Sequence, residues 1–239
     1  MSAVSSDRIS LIRHADADAW TEGVAREMET VLAHEIEQRG RARMLLSGGT
    51  TPAPVYEALA AAPLEWARVE VGLADERWLS PQDSDSNAWL VRNNFLNHAE
   101  GAHFDPLVRV GKPLAECVHD ANLVAQHTQP ACLVVLGMGN DGHTASLFPE
   151  SVDLDRTLRS SQTYAALDAS GCPVANGWPL RITLTPKGFE PIKTRLLLLR
   201  GQQKLDVLDA ALASGNVSRY PVLAAINAPG TRLRVHWCA

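Results

Sequence analysis

Apolar and polar positions change rhythm several times along this 239-residue chain, and each change marks an element. From 16 to 39, Trp20, Val24, Met28, Val31, Leu32 and Ile36 recur with the 3.6-residue period of an amphipathic helix, and Gly40 is placed to end it. The rhythm then becomes a continuous apolar run, "ARMLLS" (42–47), which predicts a buried strand. "SGGTTP" is a turn, and Pro52 opens the helix "PAPVYEALAA". "VEVGLAD" (69–75) and "CLVVLG" (132–137) predict further buried strands. Between them, "ERWLSPQDSDSN" predicts a polar loop, with Ser84 or Ser86 capping a helix that runs to about Leu96. Residues 112–128 are moderately helical. "TYAALDA" (163–169), "RITLT" (181–185), "TRLLLLR" (194–200) and "LRVHW" (233–237) predict extended segments. "GQQKLDVLDAALAS" (201–214) and "YPVLAAIN" (220–227) predict helices.

Strands thus alternate with helices, and the strands are continuous apolar runs rather than alternating ones. That pattern predicts an α/β fold with a parallel sheet covered on both faces. No internal repeat, low-complexity tract or linker divides the chain, so residues 1–239 are expected to form a single domain. In open parallel α/β sheets, ligands bind outside the carboxyl ends of the strands. Three polar clusters fall there: Ser47-Gly48-Gly49-Thr50-Thr51, Asp75-Glu76-Arg77, and the run Gly137 to His143.

Each cluster has a bland reading and a chemical one. "SGGTTP" is either an ordinary strand-to-helix turn or an anion cradle made of backbone N–H groups and a helix N-terminus. It lacks the lysine of a nucleotide-binding P-loop, which disfavours a nucleoside triphosphate. "DERW" alone reads as a solvated turn with a local ion pair. "GMGNDGHTAS" (137–146) is the sharpest. Its glycines permit a tight turn, and Asp141 two residues before His143 can orient an imidazole and stabilise its protonated form, as a general base requires. The bland alternative has Asp141 capping a following helix against which His143 packs. Arg181, at the start of "RITLT", and Lys204, in the first turn of the helix after "LLLLRG", could complete an anion site.

Charge narrows the partners. The formal net charge is −5 and the pI about 5.9, whereas a non-specific nucleic-acid or anionic-membrane binder is usually basic. Charged residues make up 21% of the chain, which argues against disorder. The four cysteines form no Cys-x-x-Cys pair and the eight histidines no i, i+4 pair, so no metal motif is visible. "MSAVSSDRIS" has no apolar stretch of signal-peptide length, and no run approaches a membrane span. The expected location is the cytoplasm.

"LLSGGTTP", "DERW…SDSN", "GMGNDGHTASLFP" and "RITLTP" follow one another in the order and approximate spacing of 6-phosphogluconolactonases, which this chain resembles over almost its whole length. That family is similar to the amino-sugar-phosphate isomerase/deaminases. The resemblance implies a three-layer modified Rossmann-like fold, with a mainly parallel sheet between helices. It implies hydrolysis of 6-phospho-D-glucono-1,5-lactone in the pentose phosphate pathway, without cofactor or metal, by a monomer or small homo-oligomer. Within it, His143 is expected to activate water, Asp141 to orient His143, and Arg77 to stabilise charge developing at C1. Asp75 is expected to line the sugar, and the backbone of Gly48, Gly49 and Thr50, with Arg181 and Lys204, to hold the phosphate. Glu150 departs from the glycine common after "LFP" in relatives, and Ser80, Asp83, Leu205 and the ending "HWCA" are lesser departures. Two alternatives remain. Glucosamine-6-phosphate deaminases resemble the chain in the Asp-Gly-His turn but carry a glutamate where it has Phe148. A non-catalytic sugar-phosphate sensor would usually add a DNA-binding helix-turn-helix, for which the chain has no room.

Overall fold

The structure, a computed structural model, describes residues 6–175 and 177–239. Residues 1–5, the start of the segment read for a leader, lie outside the described residues. Among the described residues, seven strands form one wholly parallel sheet: β1 (Ile9–Arg13), β2 (Ala42–Leu46), β3 (Val69–Leu73), β5 (His103–Phe104), β6 (Leu133–Leu136), β9 (Thr194–Arg200) and β10 (Leu233–Cys238). Their spatial order is β1-β10-β9-β6-β2-β3-β5. β2, β6 and most of β9 are buried along their length, as strands covered on both faces must be.

Strand order reverses beside β2. The chain runs from β2 outward through β3 to β5, then returns to the other side of β2 with β6 and continues outward through β9 and β10. The crevice between the ends of β2 and β6 is therefore the topological switch point, where connections diverge to opposite sides and leave room for a ligand.

The helix α1 (Ala17–Arg39) forms as its periodicity predicts. Asp16 caps it by accepting from Ala19 N at 2.8 Å, and Gly40 ends it in the left-handed conformation, φ 78°. Its buried face carries Trp20, Val24, Met28, Leu32 and Ile36 against the sheet core. Each large apolar side chain buried there contributes roughly 1.5–3 kcal/mol relative to exposure. The helices α2 (Ala53–Ala60), α3 (Asn87–Val91), α4 (Leu114–His127), α7 (Gln202–Ser214) and α8 (Val222–Asn227) fall where expected, with short α5 (Leu154–Leu158) and α6 (Pro186–Phe189) added. Ser86, not Ser84, caps α3 by accepting from Trp89 N at 2.9 Å. The predicted helix to Leu96 changes pitch, since Arg92–Leu96 is a π-helical turn.

Two expectations are corrected. Asp75, read as the end of the preceding strand, and Glu76–Arg77, read as loop, form a strand of their own, β4 (Asp75–Arg77). It pairs antiparallel with β8 (Leu180–Leu184), which pairs antiparallel with β7 (Tyr164–Asp168), so these segments form a separate three-stranded sheet. The apolar character of β7 and β8 says only that they are buried. Which sheet they join depends on partners distant in sequence. The short strands β1 and β5 were not read from the sequence: β1 is five residues, mostly half-buried, and β5 only two.

Candidate active site

A cleft of about 430 Å³ opens at the switch point. Its floor is the Gly137–His143 turn after β6, and the loop after β2 and the strand β4 stand beside it.

The turn is built around one close approach. His143 Nδ1 lies 2.7 Å from Asp141 Oδ1, which also accepts from His143 N at 3.2 Å. Burial opposes ionisation of Asp141, but the bonds from His143 outweigh it and hold the carboxyl below its ordinary value. An ionised carboxylate can only accept, so Nδ1 carries a proton, and in the neutral imidazole Nε2 has the lone pair. Among the described residues Nε2 has no hydrogen-bond partner, and His143 lines the cleft. The bland reading fails because no helix follows Asp141 for it to cap.

Gly139 makes this geometry possible. A Cβ there would stand 2.2 Å from both Asp141 Oδ1 and His143 Nδ1, so any side chain would push into the pair. Gly142 has φ 84° and passes 2.6 Å, by the same measure, from Tyr220 Cδ1. Gly139 N donates to His143 O at 2.9 Å, closing the turn, and Val222 N donates to Gly142 O at 3.0 Å, tying it to α8. Beyond it, Ala145 (φ 48°) and Glu150 (φ 65°) adopt the left-handed region without being glycine, and Ala145 lines the cleft.

The small antiparallel sheet supplies cations. Arg77 and Arg181 face each other in the β4–β8 register, and both line the cleft. Arg77 Nη1 donates to Asp85 O at 2.7 Å, while its Nε is buried without a partner among the described residues. Arg181 Nε donates to Trp178 O at 2.6 Å, and its guanidinium lies 5.2 Å from the ring of Phe148, which in turn is 4.6 Å from the His143 ring. Burial lowers the Arg181 pKa, opposed by nearby Asp75. Lys204 Nζ, near the start of α7, donates to Met138 O at 2.5 Å. Burial lowers its pKa as well, opposed by Asp141.

Asp75 lines the cleft and is also a junction between segments. Its Oδ2 accepts from Ser146 Oγ at 2.5 Å, and Asn87 Nδ2 donates to its backbone oxygen at 2.8 Å. Asn87 reaches it because Gly48 has no side chain, since a Cβ there would meet Asn87 Oδ1 at 1.8 Å. Glu76 holds the same corner. It is 1% exposed, and its carboxyl oxygens accept from Arg77 N, Asn87 N and Ala88 N at 2.7–2.8 Å. Burial pushes its pKa up to about 7 against those three bonds.

Of the predicted site residues, Gly48, Gly49, Asp75, Arg77, His143, Arg181 and Lys204 line the cleft, and Asp141 stands behind His143. Thr50 does not line it: Thr50 is exposed, and its neighbour Thr51 takes the place at the wall. Sequence reasoning missed Asn87, Asn140, Ser146, Phe148 and Arg200. Arg200 was legible in principle, because it ends a predicted strand. Among the described residues, no group of three or more His, Cys, Asp or Glu is placed to hold a metal ion.

The family described as glucosamine-6-phosphate isomerases/6-phosphogluconolactonase matches residues 15–237, nearly the whole chain and every residue of this cleft. The chain belongs to this family. Within the glucosamine-6-phosphate isomerase/6-phosphogluconolactonase family, it is 61% identical over 231 residues to a 6-phosphogluconolactonase of Xylella fastidiosa, covering 97% of each chain. It is 39% identical over 220 residues to a 6-phosphogluconolactonase of Pseudomonas aeruginosa, covering 90% of this chain and 89% of that one. A crystal structure of a 6-phosphogluconolactonase from Shewanella baltica superposes with a TM-score of 0.89 at 30% identity, covering all of both chains. Among the described residues no helix is long and apolar enough to cross a membrane.

Proposed function

We propose that this chain hydrolyses 6-phospho-D-glucono-1,5-lactone to 6-phospho-D-gluconate, the lactone-opening step of the oxidative pentose phosphate pathway. The observation that carries this reading is the Asp141–His143 pair, whose unpartnered Nε2 belongs to a cleft lined by cations. A lactone is a cyclic ester. His143 Nε2 takes a proton from water as the water oxygen adds to C1, and a tetrahedral oxyanion forms. The intermediate collapses with cleavage of the bond from C1 to the ring oxygen, and His143 returns the proton to that oxygen. Asp141 keeps the imidazole oriented and stabilises it while charged.

Arg77 is assigned to the oxyanion, because its guanidinium lines the cleft and is held by Asp85 O. Arg181, Lys204 and the backbone N–H groups at Gly48 and Gly49 are assigned to the phosphate. Asp75 is assigned to the sugar wall, where its bonds to Ser146 and Asn87 fix the relative positions of three loops. Residues 1–239 act as one catalytic domain in the cytoplasm, as a monomer or small homo-oligomer, on a free metabolite and not on nucleic acid.

The deaminase alternative needs a carboxylate where Phe148 stands, and the side chain 4.6 Å from the His143 ring is that aromatic one. The deciding experiment supplies freshly made 6-phosphogluconolactone and glucosamine 6-phosphate in parallel. Acid release from the first, above its spontaneous opening and without ammonia from the second, is expected. Ammonia without acid overturns the assignment.

A further inference from the structure

The cleft holds a cation that none of the roles above uses. Arg200 closes β9, is exposed, and lines the cleft. The other three cations are already engaged: Arg77 with Asp85 O, Arg181 with Trp178 O and Lys204 with Met138 O. The guanidinium of Arg200 has no hydrogen bond or ion pair among the described residues. Its carbon lies 5.7 Å from the ring of Trp20, which is fully buried beneath it. A guanidinium within about 6 Å of an indole is attracted to its face while its N–H donors stay free for another partner.

Its place in the fold gives those donors a target. β9 lies beside β6 in the sheet, so the end of β9 flanks the Gly137–His143 turn. Gly201, with φ 85°, then turns the chain into α7, which carries Lys204. Arg200 and Lys204 therefore stand on either side of one tight turn at the same cleft. A chain of net charge −5 repels an anionic substrate at long range, so capture falls to local cations.

We propose that Arg200 is a phosphate-binding residue, a planar fork that closes on the phosphoryl group beside Lys204 while Trp20 supports its stem. The inference rests on the phosphorylated-lactone reading for the identity of the substrate, but the phosphate chemistry can be tested without it.

Arg200→Gln keeps a polar side chain of similar reach over Trp20 and removes the charge, and Arg200→Lys restores a point charge without the fork. Hydrolysis of 6-phosphogluconolactone and of unphosphorylated gluconolactone is measured for both variants. Calorimetric titrations with 6-phosphogluconate and with inorganic phosphate, and melting temperatures, accompany it. One charge-assisted contact at a partly exposed site sets the expected scale: Arg200→Gln raises KM for the phosphorylated lactone about 10-fold. In that variant kcat stays within about twofold, the unphosphorylated lactone is unaffected, and Arg200→Lys recovers part of the loss. Both titrations weaken in Arg200→Gln. Equal proportional losses on the two lactones, with a fall in melting temperature, would show that Arg200 only covers Trp20 and would overturn the proposal. Unchanged KM overturns it too. If the wild-type protein opens neither lactone, the lactonase reading fails by itself. Inorganic phosphate then decides: weaker binding by Arg200→Gln supports the site, and equal binding sinks it.

Discussion

Asp141 with His143 in the cleft can be compared with Glu27 and His236 near the edge of the sheet. Both are carboxylate–imidazole pairs. In the first, the carboxylate takes Nδ1 and Nε2 is left without a protein partner. In the second, both ring nitrogens are approached. His236 Nδ1 lies 3.0 Å from His14 Nε2, and His236 Nε2 lies 3.1 Å from Glu27 Oε2, close enough for an ion pair though not aligned for a hydrogen bond. Glu27 also pairs with Arg234, and His236 is 1% exposed. The difference teaches that a carboxylate beside a histidine does not make a base. A ring nitrogen with its lone pair free, in a cavity that admits water, does.

The largest expected effect separates the two histidines. His143→Ala should fold and lose roughly 10²–10⁴-fold in kcat, the usual range for one general base. His236→Gln should leave kcat within a few-fold and instead lower stability by about 1–3 kcal/mol, as a buried polar partner is lost. Steady-state kinetics corrected for spontaneous lactone opening, together with urea melts, read both. A His143 variant within a few-fold of wild type would remove that residue from the mechanism.

The carboxylates should divide in the same way, with smaller effects. Asp141→Asn replaces an acceptor-only carboxylate by a neutral amide that can also donate, so the His143 tautomer is no longer fixed and its charged form no longer stabilised; a loss of at least about 10-fold in kcat is expected, short of that for the base itself. Glu27→Gln should cost about 1–2 kcal/mol of stability through its weakened bonds to charged groups, with kcat unchanged. Activity loss in the Glu27 variant at full folding would erase the distinction.

Acid sharpens the comparison further. Burial, and then the neighbouring His236, hold the His14 pKa below its ordinary value. Burial works against Glu27 ionisation, but the close approach of His236 and Arg234 prevails and holds its pKa low. Both depressed values contribute stability at higher pH that is lost on acidification. His14's contribution is present above the unfolded value of about 6.5 and is lost as pH falls through its folded value. Glu27's is present above about 4.3 and is lost through its own, lower value. Wild-type urea midpoints should therefore fall between pH 7 and pH 5, and His14→Asn should flatten that decline. A variant whose midpoint falls as steeply as wild type would exclude His14 as the source.

The smallest expected effect lies beside the catalytic turn. Glu150 adopts φ 65°, and its carboxylate has only a long 3.9 Å contact with Arg219. Left-handed backbone costs a non-glycine residue roughly 1–2 kcal/mol. Glu150→Gly should raise stability by about 1 kcal/mol, less than the full strain because glycine loses more entropy on folding, and leave kcat unchanged. A fall in the urea midpoint would show that the Arg219 contact outweighs the strain.

Much of this was legible in the chain. The 3.6-residue recurrence from Trp20 to Ile36 and the continuous apolar runs of β2, β6 and β9 reflect burial, which hydrophobicity reports directly. The strand-end rule then gathered Gly48, Arg77 and His143 at one cleft. What stayed hidden depends on contacts between distant residues. Nothing in "DER" shows that it will pair with "RIT" about a hundred residues later, so the small antiparallel sheet was invisible. Asn87 matters because of the space left by Gly48, a relation that neither residue carries alone. Thr50 and Thr51 differ only in which of two adjacent hydroxyl residues reaches the wall, a difference below the resolution of any motif.

Gly139 has a further consequence for how such an enzyme could lose its trade. The Asp141–His143 pair is packed so tightly over that bare Cα that a single methyl group would press on both the imidazole and the carboxylate. Drift at this position would retire the chemistry while leaving Asp141, His143 and the cleft's cations in place. A descendant changed only there would still look like a hydrolase by its reactive residues, yet behave as a sugar-phosphate receptor. In this chain a residue with no functional group sets the geometry of the two that have one.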